Sequence, residues 1–187
     1  MATLPATRRF NVREYHQMAA AGIFSEDDRV ELIEGEIVEM PPIGSRHAAC
    51  VDRLNRLFSS QVVDSAIVRV QNPVRLDQHS EPQPDLVLAI PRADFYATSH
   101  PRPDQVLLLV EVADTTVGFD RSVKAPLYAR AGVREFWLVD LDGELVQVHR
   151  EPAAESYRAI QAYRRGDRLS CGALPQIEVA VDAILGE

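Results

Sequence analysis

The sequence predicts an α/β protein with a central mixed β-sheet flanked by helices. Three observations point there. Val106–Ala113 reads Val-Leu-Leu-Leu-Val-Glu-Val-Ala, a continuous apolar run of the kind found in strands buried on both faces. Apolar residues at Cys50, Val51, Leu54, Leu57, Phe58 and Val62 recur at the spacing of an amphipathic helix. The order of elements, a helix, a hairpin, a long helix, three strands, a helix and further strands, mixes both types along the chain.

Each element has a local reason. Residues 1–28 predict an arm and a short helix, with Asn11 as cap and Gly22 as stop. Residues 29–40 alternate and break at Glu34-Gly35, which predicts a hairpin. Ser45 is placed to cap the amphipathic helix, and His47 falls on its apolar stripe. Residues 68–77 predict a strand that Asn72-Pro73 confines to an edge or a bulge. Pro84 leads into a strand over 85–90, and the apolar run 106–113 follows a polar loop. A helix is expected over 122–131, stopped by Gly132, with its regular part starting near Lys124 because of Pro126. Residues 135–140 and 144–150 predict strands joined by an Asp142-Gly143 turn. Short strands, a Gly166-Asp167 turn and a terminal apolar segment from Leu174 complete the chain. The 187 residues are expected to form one domain.

Composition narrows the function. The formal charge of −8 gives no global attraction to phosphate, so any contact with nucleic acid must be local. Arg46, Arg53, Arg56, Arg121, Arg130 and Arg134 are the candidates for such a track, although a solvated surface accounts for most of them. Two cysteines without a CxxC pair support neither a disulfide framework nor a zinc ribbon. No apolar run is long enough for a membrane helix, and residues 1–10 lack the apolar core of a signal peptide. A cytoplasmic protein is expected. There are 19 arginines and one lysine, Lys124. Ammonium and guanidinium differ in compactness and in their ability to shift a pKa, so the single lysine stands out.

Glu111 is the strongest clue to chemistry. It interrupts the most apolar strand, where a carboxylate must be neutralised, hydrogen-bonded, paired or bound to metal. A strand-end acid that reaches solvent or an arginine is the plainer alternative. Asp85 starts the neighbouring strand after Pro84; a turn aspartate is its plainer reading. If these strands pair, two carboxylates meet, and hard oxygen donors favour Mg²⁺ or Mn²⁺. Lys124 and Tyr128, four residues apart, share one face of the next helix and can aim at the carboxylates. Glu31 and His47 are supporting candidates. An exposed strand glutamate and a hydrogen-bonded core histidine are their commoner roles. Trp137 is expected in the core or at a dimer contact.

In this order, Pro84-Asp85, Glu111-Val112-Ala113 and Lys124 resemble the PD-(D/E)XK nuclease core, with the lysine displaced from the position of Ala113. Within that superfamily the chain closely resembles the Uma-type family of restriction endonucleases. The matching pieces are Glu31-Leu32-Ile33-Glu34-Gly35, His47, Pro84–Val87, Leu109–Val112, Asp120, Lys124, Tyr128 and Gly132–Asp140, spanning about Phe10 to the C-terminus. The resemblance implies a restriction-endonuclease-like fold. It implies that Asp85 and Glu111 hold Mg²⁺, or Mn²⁺, with the Val112 carbonyl as third ligand, and that Lys124 takes the motif lysine's role. DNA would be the substrate and a homodimer the working form. A binding or assembly module that keeps the nuclease fold without turnover is the rival reading, since fold does not fix function.

Overall fold

The computed structural model describes residues 7–25 and 27–186. The expected arm therefore lies partly outside the described residues. Helix α1 (Val12–Ala20) starts at Asn11, whose side chain accepts from the Glu14 N–H while Glu14 accepts from the Asn11 N–H. This reciprocal box satisfies two amides that the helix leaves free. Strands β1 (Val30–Ile33) and β2 (Glu36–Glu39) form the expected hairpin. Glu34 and Gly35 turn it with φ of 49° and 80°, the handedness that matches strand twist.

Helix α2 (Ser45–Ser59) follows, but its cap differs from expectation. Gly44 holds the cap position without a side-chain bond, and Ser45 is the first helical residue. Strand β3 (Ile67–Val70) is shorter than expected. Gln71 adopts φ 50°, and the chain to Asp77 continues as loop. Strand β4 is Leu86–Ala89, so Asp85 precedes the strand. Strands β5 (Val106–Ala113) and β6 (Glu135–Asp140) have the expected bounds. Strand β7 (Leu145–Pro152) starts one residue late because Glu144 lies in the turn at φ 48°. Strand β8 (Tyr157–Arg164) closes the main sheet. Strands β9 (Arg168–Cys171) and β10 (Leu174–Ala180) form a separate pair.

The six-stranded sheet has the order β3-β4-β5-β6-β7-β8. Only β5 and β6 run parallel; the other neighbours are antiparallel. A parallel pair needs a crossover. Here it comprises α3 (Val117–Phe119), a π-helical segment Asp120–Lys124, and α4 (Ala125–Ala131). The expected helix over 122–131 thus starts earlier, and its regular part begins at Ala125. Pro126 has no N–H for the ladder. The turn before it widens so that Ala125 N–H donates to the Asp120 carbonyl, five residues back. Gly132 ends α4 at φ 81°, a left-handed position that glycine takes without Cβ strain.

Helices cover both faces of the sheet. On one face α2 and α5 (Val181–Leu185) pack Leu54, Phe58 and Ile184 against Leu108, Val110, Trp137 and Val139. On the other, α4 packs Leu127 and Tyr128 against Leu109, Phe136 and Leu138. This two-sided burial explains the uninterrupted apolar run of β5. Side chains alternate along a strand, so Glu111 shares the α4 face with Leu109 and Ala113. Trp137 is fully buried, packs on Phe58 and donates to Glu135 Oε1 at 2.7 Å, which makes it a core residue. Among the described residues no helix is long and apolar enough to cross a membrane.

Candidate active site

Pairing between β4 and β5 ends at Leu86 and Val110. Beyond that point the strands part, and Asp85 fills the gap with its side chain. Its Oδ2 accepts from the Val112 N–H at 2.8 Å, replacing a ladder bond. The N–H and C=O of one strand residue point to the same edge, so the Val112 carbonyl also faces the parting. His47 Nε2, from the first turn of α2, lies 3.0 Å from the same Asp85 oxygen. That bond holds the His47 pKa above its usual value despite burial. Gln71 Nε2 donates to Asp85 Oδ1 at 3.3 Å.

Glu111 points from β5 towards the crossover. Its Oε1 accepts from Lys124 Nζ at 3.0 Å and from the Tyr128 hydroxyl at 2.6 Å. Both bonds end on one oxygen, and Glu111 lines the adjoining cleft. Lys124 is 6% exposed, and its Nζ lies 3.1 Å from Glu31 Oε1. Glu31 is 1% exposed and accepts from the Gln83 N–H through Oε2 at 3.0 Å. The structure thus brings Asp85, Glu111, Lys124, Tyr128, His47, Glu31 and the Val112 backbone into one cluster. Glu31 corrects the picture of an exposed strand glutamate. It is buried because β1 turns this side chain inward to the lysine.

Asp120 is a member that sequence reasoning did not single out as a site residue. It is 4% exposed, lines the cleft and accepts from Thr116 Oγ1 at 2.7 Å. Its signal was its position four residues before Lys124 at the start of the crossover helix. Gln71 and Gln83 were also missed; nothing in the pattern of an irregular loop marks them.

Burial pushes the Glu111 carboxyl well above its usual range. Lys124 opposes this, while Asp120, Asp85 and Glu31 reinforce it. Burial likewise raises Asp120. Burial pulls the Lys124 ammonium down, but Glu111, Glu31 and Asp120 outweigh it and hold the group protonated. Burial and the Glu111 charge keep the Tyr128 phenol protonated, so it remains a donor. Three acids, Glu111, Glu31 and Asp120, act on one ammonium, which leaves this part of the cluster short of positive charge.

This donor set fits a hard divalent cation. It offers carboxylate oxygens at Asp85 and Glu111 and a carbonyl at Val112, the ligand chemistry of Mg²⁺ or Mn²⁺. Among the described residues no three His, Cys, Asp or Glu side chains form a metal-holding group by themselves. The cluster forms the floor of a cleft of about 350 Å³ between the 40–44 loop and the 114–120 segment.

Most of the arginines considered for a phosphate track have other partners. Arg46 binds Asp142 at 2.6 Å and Asp114 at 3.3 Å. Arg53 donates to the carbonyls of Ile184 and Leu185 at 2.9 and 2.6 Å. Arg130 pairs with Glu34 at 2.6 Å, and Arg121 lies 3.6 Å from Asp140.

No curated protein matches the chain. Among solved structures, it is similar to a putative nuclease of the DUF820 group from Anabaena variabilis. The TM-score is 0.65 with 16% identity, over 83% of this chain and 89% of that one. The likeness extends to the type IIG restriction endonuclease BpuSI at a TM-score of 0.39 and 15% identity, covering 63% of this chain and 14% of that one. The sheet and its flanking helices have the restriction-endonuclease-like form that the sequence predicted. Residues 12–182 match the Uma2 family, described as "putative restriction endonuclease", and the chain belongs to that family.

Proposed function

We propose that the chain is a metal-dependent endonuclease that hydrolyses DNA phosphodiester bonds. The observation that supports this best is the position of Lys124. The motif lysine would project from the Ala113 position, on the same sheet face as Glu111. Ala113 cannot supply an ammonium, but Lys124 brings one from the crossover helix to 3.0 Å from Glu111 Oε1.

In this reading Asp85, Glu111 and the Val112 carbonyl hold Mg²⁺ or Mn²⁺. A bound cation polarises a phosphate oxygen and lowers the pKa of a water molecule. Lys124 orients the attacking water or stabilises charge on the phosphorane. Tyr128 and Glu31 fix Glu111 and Lys124 respectively, and His47 fixes Asp85. Homodimerisation belongs to the same reading and is measured by sedimentation.

The test is nicking of supercoiled plasmid with Mn²⁺ or Mg²⁺, beside calorimetric titration of the metal. Wild type should bind metal and nick. Asp85→Asn should lose both, and Lys124→Ala should lose nicking. Absence of metal binding by folded wild type would falsify the proposal. Lys124→Arg separates roles: retention indicates a simple positive charge, and loss indicates water positioning.

A second reading has its own support. Lys124 and Tyr128 both donate to Glu111 Oε1, contacts that a silent nuclease-fold binding module would also keep. Folded wild type that binds DNA without cutting it would favour that reading.

A further inference from the structure

The floor of the cleft is charged, but its upper walls are largely apolar. Met40, Pro41 and Ile43 line one side, and Phe119 lines the other, one residue before Asp120. Ile43 is 43% exposed, and Phe119 is half-buried. One arginine lines the cleft, Arg29, and its guanidinium donates to the Pro41 carbonyl at 3.0 Å. Glu39 and Asp114 share the rim. Arg46, whose partner Asp114 lines the cleft, is committed to Asp142 and Asp114.

Duplex DNA is held chiefly through its phosphates, by unengaged basic side chains. This rim offers acids, apolar surface and a single lining arginine, Arg29, too little positive charge for a track of phosphates. Asp85 and Glu111 are also recessed, at 8% and 4% exposure. A paired, stacked base cannot follow its phosphate into a recess. An unpaired nucleotide can, because its phosphate reaches the floor while the flat face of its base meets an aromatic wall. The volume of about 350 Å³ belongs to the size class of small-molecule pockets.

We propose that the cleft takes a single DNA strand, or a strand unpaired at the scissile nucleotide. The base of that nucleotide lies against Phe119 and the Met40–Ile43 wall. The proposal rests on the nuclease reading above and names its substrate class. Phe119 acts on affinity and substrate choice, not on bond breaking.

Two measurements on the full chain test this. One compares hydrolysis, with Mn²⁺, of an end-labelled single-stranded oligonucleotide and of its annealed duplex. The other compares binding of the two DNAs by fluorescence anisotropy in EDTA, where nothing is cut. Wild type should cut and bind the single strand at least about tenfold better, the size of one base–aromatic stack. Phe119→Ala should erase most of that lead by raising KM while kcat holds. Phe119→Leu keeps apolar bulk in case alanine disturbs the fold, and it too should lose the lead. Phe119→Trp should keep it. A duplex cut as fast as the single strand, or a lead untouched by Phe119→Leu, overturns the proposal alone. If neither DNA is cut, the nuclease reading fails and binding decides this proposal. A single-strand preference lost in Phe119→Leu upholds it, and equal binding overturns it.

Discussion

Two buried glutamates sit at opposite ends of the parallel pair β5–β6, and they are finished differently. Glu135, at the start of β6, has both oxygens occupied. Its Oε1 accepts from Trp137 Nε1 at 2.7 Å and Arg150 Nη2 at 2.9 Å, and its Oε2 from the Gly172 N–H at 2.7 Å. Glu111, near the end of β5, receives both of its donors on Oε1 and lines a cleft. Exposure does not distinguish them, since each is 4% exposed. What differs is whether a coordination position is left open. Glu135 fastens a corner of the fold, whereas the second oxygen of Glu111 is available to a cation or a substrate.

The largest expected effect is on activity. Glu111→Gln keeps the shape of the side chain and an acceptor for Tyr128, but removes the charge. Plasmid nicking should fall by about a hundredfold or more, with little change in melting temperature. Nicking at wild-type rate would erase the distinction between the two glutamates.

A third buried group shows what burial without a charged partner requires. His149, on β7, is 3% exposed, and its Nε2 has no partner among the described residues. Burial, helped by Arg121, pushes its pKa from 6.5 down to about 4. Between those values the unfolded chain takes up a proton and the folded chain does not. Stability present above pH 6.5 is therefore lost as pH falls towards 4, by roughly 3 kcal/mol. His149→Phe should remove that part of the decline in denaturant titrations over this window. A slope unchanged by the substitution would show that His149 is not responsible.

Smaller effects belong to the closed corner. Glu135→Gln turns an amide towards the Gly172 N–H and weakens the Arg150 pair, at a cost of about 2 kcal/mol in stability. Folded variant should nick plasmid at the wild-type rate. Gly172→Ala tests the same corner from the other side. A Cβ there would lie 2.8 Å from Glu135 Oε2, so the carboxylate must shift, at a cost of about 1 kcal/mol. Loss of activity in either variant, at full stability, would place Glu135 with the site.

Strand β5 was legible because both of its faces are covered, which leaves an apolar run with one acid in it. The hairpin was legible because Glu34-Gly35 turns it locally. The capping of α2 was misread because Ser45 is a plausible cap one residue too late, and Gly44 takes the position through its backbone. Strand β3 was overextended because the residues after Gln71 keep a strand-like composition while the loop bonds elsewhere. At the site, the acid on β5 and the lone lysine were visible as anomalies. Glu31 was a supporting candidate whose burial could not be read, because it depends on Lys124, distant in sequence. Asp120 escaped because the π-helical turn changes which residues share a face, and a period of 3.6 cannot register one widened turn.

The placement of Lys124 has a consequence for the surface. The chain has a single ε-amine, and it is 6% exposed. Every other cationic side chain of fixed charge is a guanidinium. Acylation, methylation or isopeptide tagging directed at lysine therefore finds no outward-facing target on the folded protein. Such chemistry reaches the chain only where the crossover helix has lifted from the sheet, and it then lands on the residue proposed to serve the reaction.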